Sequence, residues 1–189
     1  MAVKKTKKKI KTKKTKESGS VKAVLSGESI ISNSKKAAEL YGKSRFGEPS
    51  SGKIYYSAPE ALYLVETKKM SLTLGKKKLN FEKLLEILKE NDKKIATKYP
   101  VFKDLRQRGY IVKTALKFGA EFRVYDKGIK PGEDHARWIL YPVSENQEMT
   151  WYDFAAKNRV AHATKKNLLI GIVDDEGDVT YYEIKWIKP

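Results

Sequence analysis

The chain has no cysteine and only two histidines among its 189 residues. The first absence removes disulfides and thiolate chemistry, and the second leaves little from which to build a zinc site. No apolar run approaches the ~20 residues of a membrane-spanning helix. The basic N-terminus is not followed by the apolar stretch of a secretory signal, so the expected location is the cytoplasm. Acid is missing from one stretch altogether: residues 1–16 carry nine lysines and neither Asp nor Glu. A tail of that composition has no apolar period and is expected to be disordered in isolation. It can bind polyanions by counterion release, or serve only to keep the chain soluble.

What is present points to RNA or DNA. The tail takes nine of the 17 net positive charges, and the +8 left over belongs to the folded part, where it suggests a nucleic-acid partner. A 40% hydrophobic content suffices for a packed core, and the length suits one ordinary domain or two small ones. Many Lys and Glu with no Cys also fit a thermophile.

Structure is expected from residue 21 onward. Val21–Leu25 and Ser29–Ser32 flank Ser26-Gly27-Glu28, a hairpin signal. Ser34 can cap a helix over Lys35–Tyr41 that Gly42 would stop, and residues 43–53, rich in Gly, Ser and Pro, read as a loop. Ser57-Ala58-Pro59-Glu60 is a capping box with proline in the first turn. Two short strands around Gly75 follow. Asn80 then caps a helix with Phe81, Leu84, Leu85 and Leu88 at helical spacing.

The sequence turns polar between Glu90 and Lys98. This divides the chain into a Lys-rich tail (1–20), a small N-terminal α/β domain (21–95) and a C-terminal domain (96–189). In the last of these, Pro100 is expected to start a helix through Arg108, with Gly109 as its stop. Strands are expected at Tyr110–Leu116, Glu121–Tyr125 and Arg137–Val143, then a helix from Thr150 to about Thr164. The apolar run Leu168–Val173 suits a doubly covered central strand, and Val179–Ile187 is the last strand. The fold class is mixed α and β, the C-terminal domain being a mixed sheet flanked by two helices.

The candidate chemistry lies in that domain. The segment YDKGIKPGEDH leaves Tyr125 at one end of a glycine-bearing loop and His135 at the other, two proton-transfer groups facing a common space. The competing reading is a surface loop with a stray histidine. Arg159, His162, Lys165 and Lys166 cluster where the last helix ends, and helical spacing puts Arg159, His162 and Lys166 on one face. The helix dipole alone would favour cations there. Tyr, His and Lys together suit attack of a ribose 2′-OH on the adjacent phosphodiester. That reaction needs a base, an acid and a cation for the phosphorane. Tyrosine, with an ordinary pKa of ~10, becomes a useful base only if nearby cations lower it, and the Lys and Arg content here is expected to do so.

The stretches KDLRQRGYIVKTALKFGAEFRVYDKG (103–128), RVAHATKKNLLIGIVDDEGD (159–178) and TYYEIKWIKP (180–189), with the histidine at 135, resemble the catalytic domain of the archaeal tRNA-splicing endonuclease family. SAPEALYLVE (57–66) is similar to its N-terminal domain. The resemblance implies that Tyr125 is the general base, His135 the general acid and Lys166 the catalytic lysine, which directly precedes Asn167-Leu168-Leu169. It implies that Arg159 clamps a bulge nucleotide by stacking and that Lys185 stands in for a second clamping cation. It further implies a precursor tRNA substrate cut at bulge–helix–bulge sites, 2′,3′-cyclic phosphate and 5′-hydroxyl ends, and no metal or other cofactor. The expected assembly is a homo-oligomer, a homotetramer or a dimer. Its dimer interface would be the last strand, and the loop 126–134 would dock Glu133 and Asp134 on a second dimer. Two alternatives remain: a non-catalytic structural subunit, against which the intact Tyr125, His135 and Lys166 argue, and a basic RNA-binding protein without activity.

Overall fold

The structure, a computed structural model, describes residues 19–187; the Lys-rich run and the disorder expected of it lie outside the described residues. The N-terminal half consists of β1 (Val21–Ser26), β2 (Ser29–Ser32), α1 (Lys35–Ser44), β3 (Glu48–Ser50), β4 (Lys53–Tyr56), α2 (Ala58–Glu66), β5 (Met70–Leu74), β6 (Lys77–Leu79) and α3 (Phe81–Asn91). Its six strands run in the order β3-β4-β2-β1-β5-β6, and only β1 and β5 pair in parallel. Strand alternation buries Val21, Ala23 and Leu25 of β1, the period-2 pattern of a sheet with one wet face.

Two expectations for this half need correction. Helix α1 does not stop at Gly42 but continues to Ser44, where Arg45 takes the left-handed conformation at φ 56°. The expected loop 43–53 holds the β3–β4 hairpin. Ser51 and Gly52 both have positive φ, the two-residue turn whose twist matches paired strands. The same Ser and Gly that suggested a loop therefore build a turn. The Ser57 box forms as expected, with Glu60 Oε2 accepting from the Ser57 amide and hydroxyl, each at 3.0 Å.

The C-terminal half comprises α4 (Ile95–Gln107), β7 (Ile111–Thr114), a 3₁₀ turn at Leu116–Phe118, β8 (Phe122–Tyr125), β9 (Trp138–Ser144), α5 (Trp151–Ala163), β10 (Asn167–Val173) and β11 (Val179–Ile184). The sheet order is β11-β10-β9-β8-β7. The parallel pair β9–β10 is joined through α5, and all other neighbours are antiparallel. Antiparallel β8 therefore ends on the rim of the sheet where β10 begins. β10 is interior, as its apolar run predicts.

Pro100 does not open α4. The helix begins at Ile95, with Pro100 inside it. Proline forgoes one backbone hydrogen bond there, and the burial of Ile95, Tyr99, Val101, Phe102 and Leu105 outweighs that loss. Gly109, at φ 93°, ends the helix. Its amide donates to Arg106 O at 3.2 Å and that of Tyr110 to Leu105 O at 3.0 Å, the paired bonds of a Schellman stop. The expected strand 110–116 is cut short at Thr114 by the 3₁₀ turn.

Helix α4 joins the halves into one core. The Phe102 ring lies 6.1 Å from Tyr63 of α2 and 5.9 Å from Phe122 of β8. Val101 packs so closely on β10 that a Cβ at Gly171 would stand 3.1 Å from its Cγ1. A polar latch reinforces the joint. Lys113 of β7, 3% exposed, donates to Arg45 O (2.8 Å), Gly47 O (2.7 Å) and Glu60 Oε1 (3.0 Å). A smaller apolar cluster on the opposite face of the second sheet, including Ile139, Leu168 and Ala161, lies under α5.

Candidate active site

The site forms where β8, the loop after it and the α5–β10 junction meet. In β8, Phe122 and Val124 enter the main core, so Arg123 and Tyr125 point to the opposite face. Arg123 is in register with Ile139 of the cluster under α5. The loop leaving Tyr125 is tied at its ends. Arg137 Nη1 lies 3.4 Å from Asp126 Oδ1, and the Arg137 amide donates to Val124 O at 2.9 Å. Within the loop, Gly128 and Gly132 have φ of 85° and 95°, and Glu133 is 3.7 Å from Lys130 Nζ. His135 leaves the loop exposed.

At the other wall, α5 ends in a second Schellman stop. The amides of Lys165 and Lys166 donate to His162 O and Ala161 O, both at 2.9 Å, and Lys165 occupies the left-handed position at φ 55°. Lys166 therefore lies beyond the helix. The expectation that it shares a helical face with Arg159 and His162 does not hold, because the helix is over by Ala163. Its Nζ donates to Thr164 O at 2.7 Å.

Tyr125, His135 and Lys166 line one open cleft of about 380 Å³, together with Arg123, Glu133 and Asp134. Lys165 is not among its lining residues. Nor are Arg159, exposed on α5, and Lys185, exposed past the end of β11 and 3.8 Å from Glu183. His162 packs against Trp186, ring centroids 4.5 Å apart and planes tilted by 38°, and is not among the residues lining the cleft. Among the described residues no three His, Asp or Glu side chains gather as a metal site would require, and no helix is long and apolar enough to cross a membrane.

The electrostatics correct one expectation and add one residue. The Tyr125 phenol is pushed up rather than down: burial raises its pKa, Glu48 adds to the rise, and the pull of Arg123 in the other direction does not overcome them. The Lys166 ammonium is pushed down, first by burial and then by Arg123. Arg123 is thus the cation shared by both, and the sequence reading missed it. The signal was there in the Arg-Val-Tyr spacing, since residues two apart on a strand share a face.

The chain matches the model of the tRNA intron endonuclease catalytic C-terminal domain over residues 95–181 and that of the tRNA intron endonuclease N-terminal domain over residues 21–85. It is 44% identical over 165 residues to a tRNA-splicing endonuclease of Thermococcus onnurineus, covering 87% of this chain and 95% of the relative. A tRNA-splicing endonuclease of Methanothermobacter thermautotrophicus is 41% identical over 153 residues, 81% of this chain and 89% of the relative. One from Nanoarchaeum equitans is 43% identical over 136 residues, 69% and 87%. The chain belongs to the tRNA intron endonuclease family, enzymes that excise introns from precursor tRNA.

Proposed function

We propose that this enzyme cuts precursor tRNA without a metal, at the two bulges of a bulge–helix–bulge, leaving 2′,3′-cyclic phosphate and 5′-hydroxyl ends. The observation that carries this reading is the convergence of Tyr125, His135 and Lys166 on one cleft. Tyr125 takes the proton of the ribose 2′-OH. The 2′-oxygen bonds to the adjacent phosphorus, the bond from phosphorus to the 5′-oxygen breaks, and His135 gives that oxygen its proton. Lys166 stands against the negative charge that builds on the phosphorane. With its pKa raised above the ordinary tyrosine value, Tyr125 carries its proton at neutral pH in the free enzyme, so base catalysis draws on the small fraction present as phenolate.

Arg159 and Lys185 stand outside the cleft and are exposed, which suits contacts with bases flanking the cut phosphate. A planar guanidinium can stack on an unpaired base. For assembly, β11 is the edge of its sheet and has no outer neighbour among the described residues, and Tyr182, Trp186 and Ile187 are exposed beside it. An open edge with apolar side chains fits pairing with a second copy about a two-fold axis. The loop 126–134 is the candidate contact between dimers, giving a homotetramer with cytoplasmic precursor tRNA as substrate. The test is incubation with a bulge–helix–bulge RNA in EDTA. Cleavage at both bulges with cyclic-phosphate ends supports the reading, and an uncut RNA overturns it.

A further inference from the structure

Lys113 and Arg123 stand opposite each other in the β7–β8 register, a pairing of like charges that destabilises a sheet unless an anion intervenes. Glu48, on β3 of the N-terminal sheet, supplies the anion. Its Oε1 lies 3.2 Å from Lys113 Nζ and 4.0 Å from Arg123 Nη2. The sharing is unequal. Buried Lys113 has the close contact, while Arg123 is at the outer limit of an ion pair and keeps a third of its side chain exposed. Arg123 Nε is buried and has no hydrogen-bond partner among the described residues. The side chain also lines the cleft with Tyr125 and Lys166, its guanidinium carbon 5.9 Å from the Tyr125 ring centroid.

Arginine presents five N–H donors in a planar fork that matches a phosphate. Here the fork has one weak anionic partner and one idle buried donor, beside a cleft whose proposed substrate is a phosphodiester. We propose that Arg123 is a fourth catalytic residue, donating to a non-bridging oxygen of the phosphate cut in the cleft. This rests on the endonuclease reading above. Two non-bridging oxygens gain charge as the 2′-oxygen attacks. Lys166 serves one as a compact point charge and Arg123 serves the other with a directed fork. The arrangement also accounts for two cations crowded in one cleft. Burial lowers the Lys166 pKa first and the repulsion from Arg123 adds to it; a phosphate between the two cations offsets that repulsion.

The test is single-turnover cleavage of a bulge–helix–bulge RNA by the full chain, by Arg123→Ala and by Arg123→Lys, with thermal melting on each. Arg123→Ala is expected to slow cleavage about 100-fold, the usual effect of removing one preorganised donor to a developing oxyanion. Millimolar methylguanidinium should restore a large part of that rate, which no purely structural role of Arg123 would allow. Arg123→Lys, which keeps the charge and loses the fork, should be about tenfold slow. A folded Arg123→Ala that cuts at the wild-type rate overturns the proposal, as does a slow one that methylguanidinium leaves unchanged. Should Arg123→Ala not fold, Arg123→Lys decides alone: a wild-type rate overturns the proposal and a slowed one supports it. An inactive wild-type protein removes the endonuclease reading and this proposal together, whereas an active wild type with equally active variants removes only this one.

Discussion

Lys165 holds the left-handed backbone that brings its neighbour Lys166 to the cleft. A side chain in that conformation costs roughly 1–2 kcal/mol, and glycine does not incur the cost, though it gives back part of the gain as chain entropy. Lys165→Gly is therefore expected to fold with equal or slightly greater stability and to cleave normally. Lys166→Ala should slow cleavage by about 10²–10³, the effect of losing one positioned charge. Thermal melts and single-turnover rates on both variants check this; a reversed pattern would assign the catalytic role to Lys165.

The depressed pKa of Lys166 has a signed consequence for activity. In the proposed mechanism the charged form of Lys166 stabilises the phosphorane, and that form is lost as pH rises through a value below the ordinary lysine 10.5. Cleavage should then fall on the alkaline side earlier than an unperturbed lysine would dictate. Lys166→Arg, slower for want of the same geometry, should keep its rate to higher pH because arginine does not deprotonate there. A pH–rate profile with the same alkaline limb for both proteins would show that the limb belongs to another group.

His135→Ala should leave RNA affinity nearly unchanged and slow cleavage by about 10²–10⁴. Filter binding and single-turnover kinetics separate the two quantities. Affinity lost in step with rate would make His135 a binding residue.

Breaking the latch should be costly. Lys113→Met leaves Glu60 buried without its cation, and Glu60→Gln leaves Lys113 without one of its carboxylates. A stranded buried charge costs about 3–5 kcal/mol. We expect denaturant midpoints to fall in both variants, and the double variant to lose less than the sum of the two. Additive losses would mean that the two groups do not act as a pair.

Charge reversal in the loop tests assembly. The Glu133–Lys130 ion pair joins two exposed side chains and contributes little by itself, although the Lys130 amide also donates to Glu133 Oε2 at 3.2 Å. Glu133→Lys with Asp134→Lys should convert a tetramer to dimers and abolish cleavage by leaving Tyr125 and His135 unfixed, since misplacement of about 1 Å is enough to slow catalysis severely. Light scattering and cleavage on one sample decide it. Separately, deletion of residues 1–16 should preserve folding and flatten the salt dependence of RNA binding.

The strands and helices of both halves were legible wherever period and cap agreed, as at Ser57, Asn80, Thr150 and the run into Val173. Local signals failed where tertiary burial overrode them. Ile95 drew α4 past the proline that should have begun it, and Ser51-Gly52 formed a turn where composition suggested a loop. At the candidate site, Tyr125 and His135 stood out as the two ends of a glycine-bearing loop, while Lys166 was preferred to Lys165 only through the resemblance to the family. The left-handed Lys165 could not, because no glycine marks that turn. The rise in Tyr125's pKa was also hidden, since it depends on how deep the phenol is buried and on Glu48 arriving from the other half.

Phe102 touches Tyr63 of the half without chemistry and Phe122 of the half with it. Heat cannot loosen one side of that ring and spare the other. The chain should melt in a single step, with slow amide exchange in α2 and β8 lost at the same temperature. An isolated fragment 96–189 would present the bare side of α4 to water and clump before it could cut RNA.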